Sequence, residues 1–161
     1  MLSKLFLTIT LFIFLGNKSE ENRMYYKEYY TSGEMKAEGW MQNGEKTAFW
    51  KYYHSNGTLS EEGHYNNNRR VSYWKFYNLK GILVEEGHYE NNKRSDWWLI
   101  YNDYGEIHYK CQFRNGKKNG YCLTYKNQEL ASAIKYTNGA KIKEWFSYIS
   151  FMKENSLSDL K

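Results

Sequence analysis

The sequence predicts an all-β chain: a single-layer, elongated antiparallel β-meander of stacked hairpins, built from 24-residue repeats and closed by a short C-terminal helical cap. Three observations carry that expectation. Gly33, Gly57, Gly81 and Gly105 recur every 24 residues, and Tyr29, Tyr53, Tyr77, Tyr101 and Tyr125 keep the same interval, as do Trp50, Trp74 and Trp98. A fixed period of this length marks a repeat architecture. Beyond the first sixteen residues the chain holds 28 aromatic side chains against only 16 Leu, Ile and Val. Tyrosine buries its ring while keeping its hydroxyl wet, which suits a thin sheet with two accessible faces better than a thick globule. Finally, both connections inside each repeat carry Asn and Gly turn chemistry, and proline is absent. The 161 residues suffice for about one domain, and an aromatic share of 19% excludes disorder.

In chain order, residues 1–22 read as a signal peptide and linker. Lys4 precedes an apolar run from Leu5 to Leu15, interrupted by Thr8 and Thr10, and Gly16 opens a polar stretch. This is the layout of an export signal, and the run is well short of the ~20 residues that a spanning helix needs. The expected location is the periplasm, cell envelope or exterior, with anchoring by an uncleaved leader as the alternative.

Residues 23–148 hold about five repeats, each reading strand, turn, strand, turn. If Asn56 and Gly57 form a tight type I′ turn, Trp50 faces Gly63, and a symmetric loop over Asn66 to Val71 places Gly63 opposite Trp74. One row across the sheet then runs Trp50, Gly63, Trp74, Gly87, Trp98, Cys111, Cys122. Side chains alternate along a strand with period two, so the tryptophan face also collects Tyr52, Leu59, Tyr65, Phe76, Leu83, Tyr89, Ile100, Ile107 and Phe113. The other face carries a charge ladder of Lys51, Glu62, Lys75 and Glu86, flanked by Phe49, His64, Tyr73, His88 and Trp97.

The last unit departs from the beat, since Glu129 stands where a turn glycine is due, as suits a capping repeat. Cys111 and Cys122 replace one Gly·Trp pair together. Facing strand positions lie close enough for a bridge, and export would supply oxidising conditions. A Cys111–Cys122 disulfide is therefore expected, the alternative being two buried thiols that fill the space of the missing indole. Residues 149–161 form the cap or tail, read as a short helix using Phe151, Met152, Leu157 and Leu160.

The unit Tyr53, Gly57, Leu59, Glu62-Gly63, Tyr65 and its copies resemble the MORN-repeat variant family, over Tyr25 to Tyr148. The chain departs from that pattern at Cys111, at Glu129, and at Asn68 and Asn92, which replace the loop glycine kept at Gly44 and Gly116. Bacterial members are often labelled YwqK-type toxin–antitoxin antitoxins. The resemblance implies an elongated sheet of hairpins that serves as a binding surface.

The sequence has no phosphate-cradling glycine loop, nucleophile elbow or HExxH helix, and periodic Glu38, Glu62 and Glu86 are copies in like environments, not a catalytic pair in unlike ones. No catalytic residue, metal site or cofactor is expected, and His64 and His88 read as packed face residues. The turns instead repeat basic pairs at Arg69 and Arg70, Lys93 and Arg94, Lys117 and Lys118, which predict an anion-attracting edge. The formal charge of +5 permits such contacts; nucleic acid is not an expected partner for an exported chain. The function expected is that of a non-enzymatic exported scaffold, binding a protein or an anionic surface through this edge or through an aromatic face of Trp50, Tyr52, Tyr65, Trp74, Phe76, Tyr89 and Trp98. The alternatives are an antitoxin-like binder that neutralises a toxin protein, and an anionic-lipid or membrane-surface binding module.

Overall fold

The structure, a computed structural model, describes residues 22–160, so the expected leader lies outside the described residues. Eleven strands follow one another in a single antiparallel sheet whose spatial order is the chain order. They are β1 (Arg23–Tyr29), β2 (Met35–Gln42), β3 (Glu45–Tyr53), β4 (Leu59–Asn66), β5 (Arg69–Tyr77), β6 (Leu83–Glu90), β7 (Lys93–Tyr101), β8 (Ile107–Arg114), β9 (Lys117–Lys126), β10 (Glu129–Thr137) and β11 (Ala140–Trp145). Hairpin connections this short can join only antiparallel neighbours, which is why the topology is a plain meander.

The Trp–Gly row is present with the expected register. Trp50 pairs with Gly63, Gly63 with Trp74, Trp74 with Gly87, Gly87 with Trp98, Trp98 with Cys111, and Cys111 with Cys122. The two turn types that produce it are not the expected ones. Around Gly57 the His54 carbonyl accepts from Gly57 N, the His54 N–H donates to the Thr58 carbonyl, and only Gly57 has positive φ. This is a three-residue loop with glycine in the left-handed position, not a type I′ pair. It offsets the register by one, and a bulge at Ser60 restores it, because Tyr53 pairs with Leu59 but Tyr52 with Glu61.

On the opposite edge the expected loop over Asn66 to Val71 is mostly strand. Asn66 pairs with Arg69 around a two-residue turn, Asn67–Asn68, with φ of 49° and 60°, the type I′ signature. A two-residue bulge follows: His64 pairs with Val71 while Gly63 pairs with Trp74. The skipped Ser72 has φ 59°, and the same position in other repeats is left-handed at Ala48, Asp96 and Gly120. The gap has a use. Trp74 Nε1 donates to the carbonyls of His64 and Val71, on both sides of the opened ladder, at 3.1 Å each.

The bulges also correct the faces. Leu59, Leu83 and Ile107 stand opposite Tyr53, Tyr77 and Tyr101 on the ladder side, not in line with the tryptophans. Helix α1 spans only Tyr148–Met152, capped by Ser147, and is followed by a 3₁₀ turn at Leu157–Leu160. Phe151 is buried against Tyr121 and Trp145, and Leu160 packs on the same cluster, but Met152 and Leu157 are exposed. The single expected helix is thus two short pieces, the first ended where the Asn155 side chain donates to the Phe151 carbonyl.

Candidate functional site

On the tryptophan face, Trp50, Trp74 and Trp98 are at most 1% exposed. Each indole lies over the glycine of the preceding strand, as the Cβ positions of Gly39, Gly63 and Gly87 show by falling on the ring atoms. The outer side is closed by a cation and by neighbouring rings. Arg70 sits 4.3 Å from the Trp74 ring centre and Arg94 4.0 Å from that of Trp98, while Lys46 covers Trp50 at 4.5 Å. Arg70 is held by Glu61 at 2.6 Å and Arg94 by Glu85. Tyr65 meets Trp74 edge-on at 5.0 Å, Phe76 stacks beside it, and Tyr89 meets Trp98 edge-on.

This arrangement is a laminate: sheet, indole, cation. The tryptophans that the sequence offers as contact residues are its inner layer and reach no partner unless the cover moves. Tyr52, Tyr65, Phe76 and Tyr89 are half-buried and remain partly accessible. Lys46 donates to the Tyr52 hydroxyl at 2.7 Å, and that hydroxyl to Tyr65 at 3.1 Å. Burial lowers the pKa of the Lys46 ammonium and raises that of the Tyr52 phenol.

The opposite face is laid out in parallel rows. Lys51, Glu62, Lys75 and Glu86 face one another in sequence, as expected of the ladder. The carboxylates are nonetheless engaged by tyrosines: the Tyr53 hydroxyl donates to Glu38 at 2.7 Å and the Tyr77 hydroxyl to Glu62 at 2.9 Å, and Tyr101 does the same to Glu86. That donation holds the Glu38 carboxyl below the usual range. Burial first, and the nearby carboxylate second, raise the phenols of Tyr53, Tyr77 and Tyr101, and the same pair of causes pushes Tyr73 up to about 12. Beside the ladder, Phe49 meets His64 edge-on at 5.0 Å and Tyr73 meets His88 at 4.9 Å. Phe49 and Tyr73 are each 37% exposed and both imidazoles are exposed. Here the repeat presents rings to solvent.

The basic edge divides in two. Arg69, Lys93 and Lys117 are exposed at the starts of β5, β7 and β9. Arg70 and Arg94 fold inward onto the indoles, and Lys118 lies near the rings of Tyr109 and Tyr136. Only alternate members of each expected pair therefore point to solvent, as period two requires of adjacent strand residues. Glu90 faces Lys93, while Arg114, not singled out from the sequence, faces Lys117 and is exposed. Cys111 and Cys122 are disulfide-bonded and buried in the row, with Cα atoms 3.9 Å apart.

Among the described residues no group of three His, Cys, Asp or Glu side chains is placed to hold a metal ion, and no helix is long and apolar enough to cross a membrane. No protein-family model matches the chain, and no curated protein matches it.

Proposed function

We propose that the chain is a non-enzymatic, exported repeat scaffold that presents the ladder face of its sheet to a protein partner. The observation that carries this reading is the row Phe49, His64, Tyr73, His88, in which ring and imidazole alternate across four strands and stay exposed, while on the other face the tryptophans are buried and the rings beside them only half-buried. Several weak contacts repeated along an open sheet add up without a deep pocket. The resemblance to MORN-repeat variants supports the same use of the sheet. An anionic surface is the second reading, favoured by exposed Arg69, Lys93, Arg114 and Lys117 along one edge.

The test starts from the full chain expressed with its leader. N-terminal sequencing of the product shows whether residues before the repeat are removed, and a full-length cytoplasmic product would favour the antitoxin-like alternative. Partner capture is then compared between Phe49→Ser with Tyr73→Ser, and Arg69→Gln with Lys93→Gln and Lys117→Gln. Loss of the captured partner in the first variant alone supports the ladder face. Loss in the second alone, with salt-sensitive flotation on anionic vesicles, moves the function to the edge.

A further inference from the structure

The two edges of the sheet are unlike. At the C-terminal edge β11 carries Lys141 and Lys143, its last residue Trp145 is buried against Phe151 of the tail, and Lys143 is tied to Glu154 at 2.6 Å. Lysines, cover by another element and bulges in the strand itself are the usual protections of an edge. At the N-terminal edge β1 has no cover, and the extra residue of its bulge, Lys36, sits on β2. Among the described residues no strand lies beyond β1, and every residue from Arg23 to Tyr29 except Glu28 is exposed. The array is also unfinished here. Tyr26 stands 24 residues before Trp50 and pairs with Gly39, as Trp50 pairs with Gly63. Trp50 has Gly39 on its other side as well, and Tyr26 has no such neighbour among the described residues.

The main chain of β1 is aimed for a further strand. Tyr30 N donates to the Glu34 carbonyl, and the Asn22 carbonyl accepts from Asn43 N, so the even-numbered residues turn their N–H and C=O groups to β2. By alternation, those of Arg23, Tyr25, Lys27 and Tyr29 point outward, away from every described strand. We propose that β1 pairs with β1 of a second copy about a two-fold axis at Tyr26, continuing one sheet through both molecules. That register aligns the four outward residues of each copy for about eight main-chain hydrogen bonds. It sets Tyr25 against Lys27 and Arg23 against Tyr29, each a ring beside a cation. Moving the axis to Tyr25 opposes Arg23 with Lys27, and moving it to Lys27 opposes two lysines, so both neighbouring registers shorten the ladder and face like charges. A head-to-tail contact of β1 with β11 would meet the lysines and the tail and would not close. This inference does not rest on the ladder-face reading, and either can fail alone.

The experiment expresses the full chain with its leader and measures the mass of the product by light scattering over a concentration series. The expected result is the mass of two chains. Lys27→Pro removes an outward N–H, a change that edge strands tolerate. It should weaken the dimer about thirtyfold, the equivalent of two hydrogen bonds lost across the axis, while the indole N–H resonances of Trp74 and Trp98 keep their positions as a check on folding. Tyr26→Cys should form a covalent dimer on mild oxidation, because facing positions without main-chain bonds lie ~4.5 Å apart. Tyr25→Cys should not, since Lys27 is its counterpart; this comparison stands even where Lys27→Pro fails to fold. A monomeric product, whatever covers the edge, overturns the proposal. So do a mass that grows without limit as in a head-to-tail array, unchanged association of folded Lys27→Pro, or equal cross-linking of the two cysteine variants.

Discussion

A methyl group at Gly63 would lie about 2.5 Å from Trp74 Cγ, so the glycine is a seat for the indole, not a flexible point. Gly63→Ala is expected to destabilise the fold by ~1–3 kcal/mol, the usual cost of overpacking, read as a lower denaturant midpoint. Adding Trp74→Leu should leave a double variant less unstable than the sum of its parts; strict additivity would show that the two residues do not share the space. The Cys111·Cys122 pair is the same coupled change made within this chain. These seats were legible because glycine and tryptophan keep a common period. The left-handed bulge was not, since Ala48, Ser72 and Asp96 share no side-chain property and only Gly120 hints at positive φ. A non-glycine residue in that conformation costs ~1–2 kcal/mol. Ser72→Gly should therefore raise the thermal midpoint. Gly120→Ala should lower it, the more so because its Cβ would strike the Gln112 amide.

At the scale of strands and hairpins, the register was readable although both turns were misassigned, because two offsets cancel in each. The three-residue loop at Gly57 is compensated at Ser60, and the tight Asn67–Asn68 turn is compensated at Ser72 and Tyr73. Alignment of Trp with Gly sets the pairing, and the turns adapt to it. The same logic seated Cys111 against Cys122. Their bond closes a segment with a sequence separation of 11, for which chain entropy gives ~3 kcal/mol. Cys111→Ser with Cys122→Ser should lose about that much in a denaturation series, and no loss would deny the bridge a role in stability. The tyrosine clamps on the ladder carboxylates carry a pH signature. Tyr53, Tyr73, Tyr77 and Tyr101 have raised phenol pKa values in the fold, burial first and the carboxylate next. A raised phenol pKa favours the neutral form when folded. The stability it contributes is therefore complete below the ordinary 10.0 and is lost as pH climbs through the folded values, about 12 for Tyr73. Tyrosinate absorbance should rise at higher pH in the folded chain than in denaturant, and Glu62→Gln should bring Tyr77 back down. Coincident titrations would contradict the clamps.

For the molecule as a whole, the repeat and its even length are what matter. Meander order, the absence of parallel pairs and the atypical last unit were all readable from period and turn chemistry. Which face is open was not, because period two places Arg70 and Trp74 on one side of β5 without saying that the guanidinium closes over the ring. An array whose units touch only their neighbours tolerates loss of a unit if every pairing is regenerated. Deleting residues 51–74 joins Trp50 directly to Lys75, so that Trp50 inherits Gly87 as its partner, and Gly39 still receives its indole. The deletion removes 24 residues, an even number, and the two faces keep their identities along every strand. The shortened chain should fold as a nine-strand sheet with dispersed resonances for the indoles that remain and a lower but still cooperative melting transition. Deleting residues 51–73 instead leaves Trp50 followed by Trp74 and turns the remainder of that strand over, which places its rings on the ladder side and its charges under the cations. That chain should expose apolar surface and aggregate. If both deletions fold equally well, or neither folds, the sheet is not held by the Trp–Gly register, and the argument from period to architecture fails at its base.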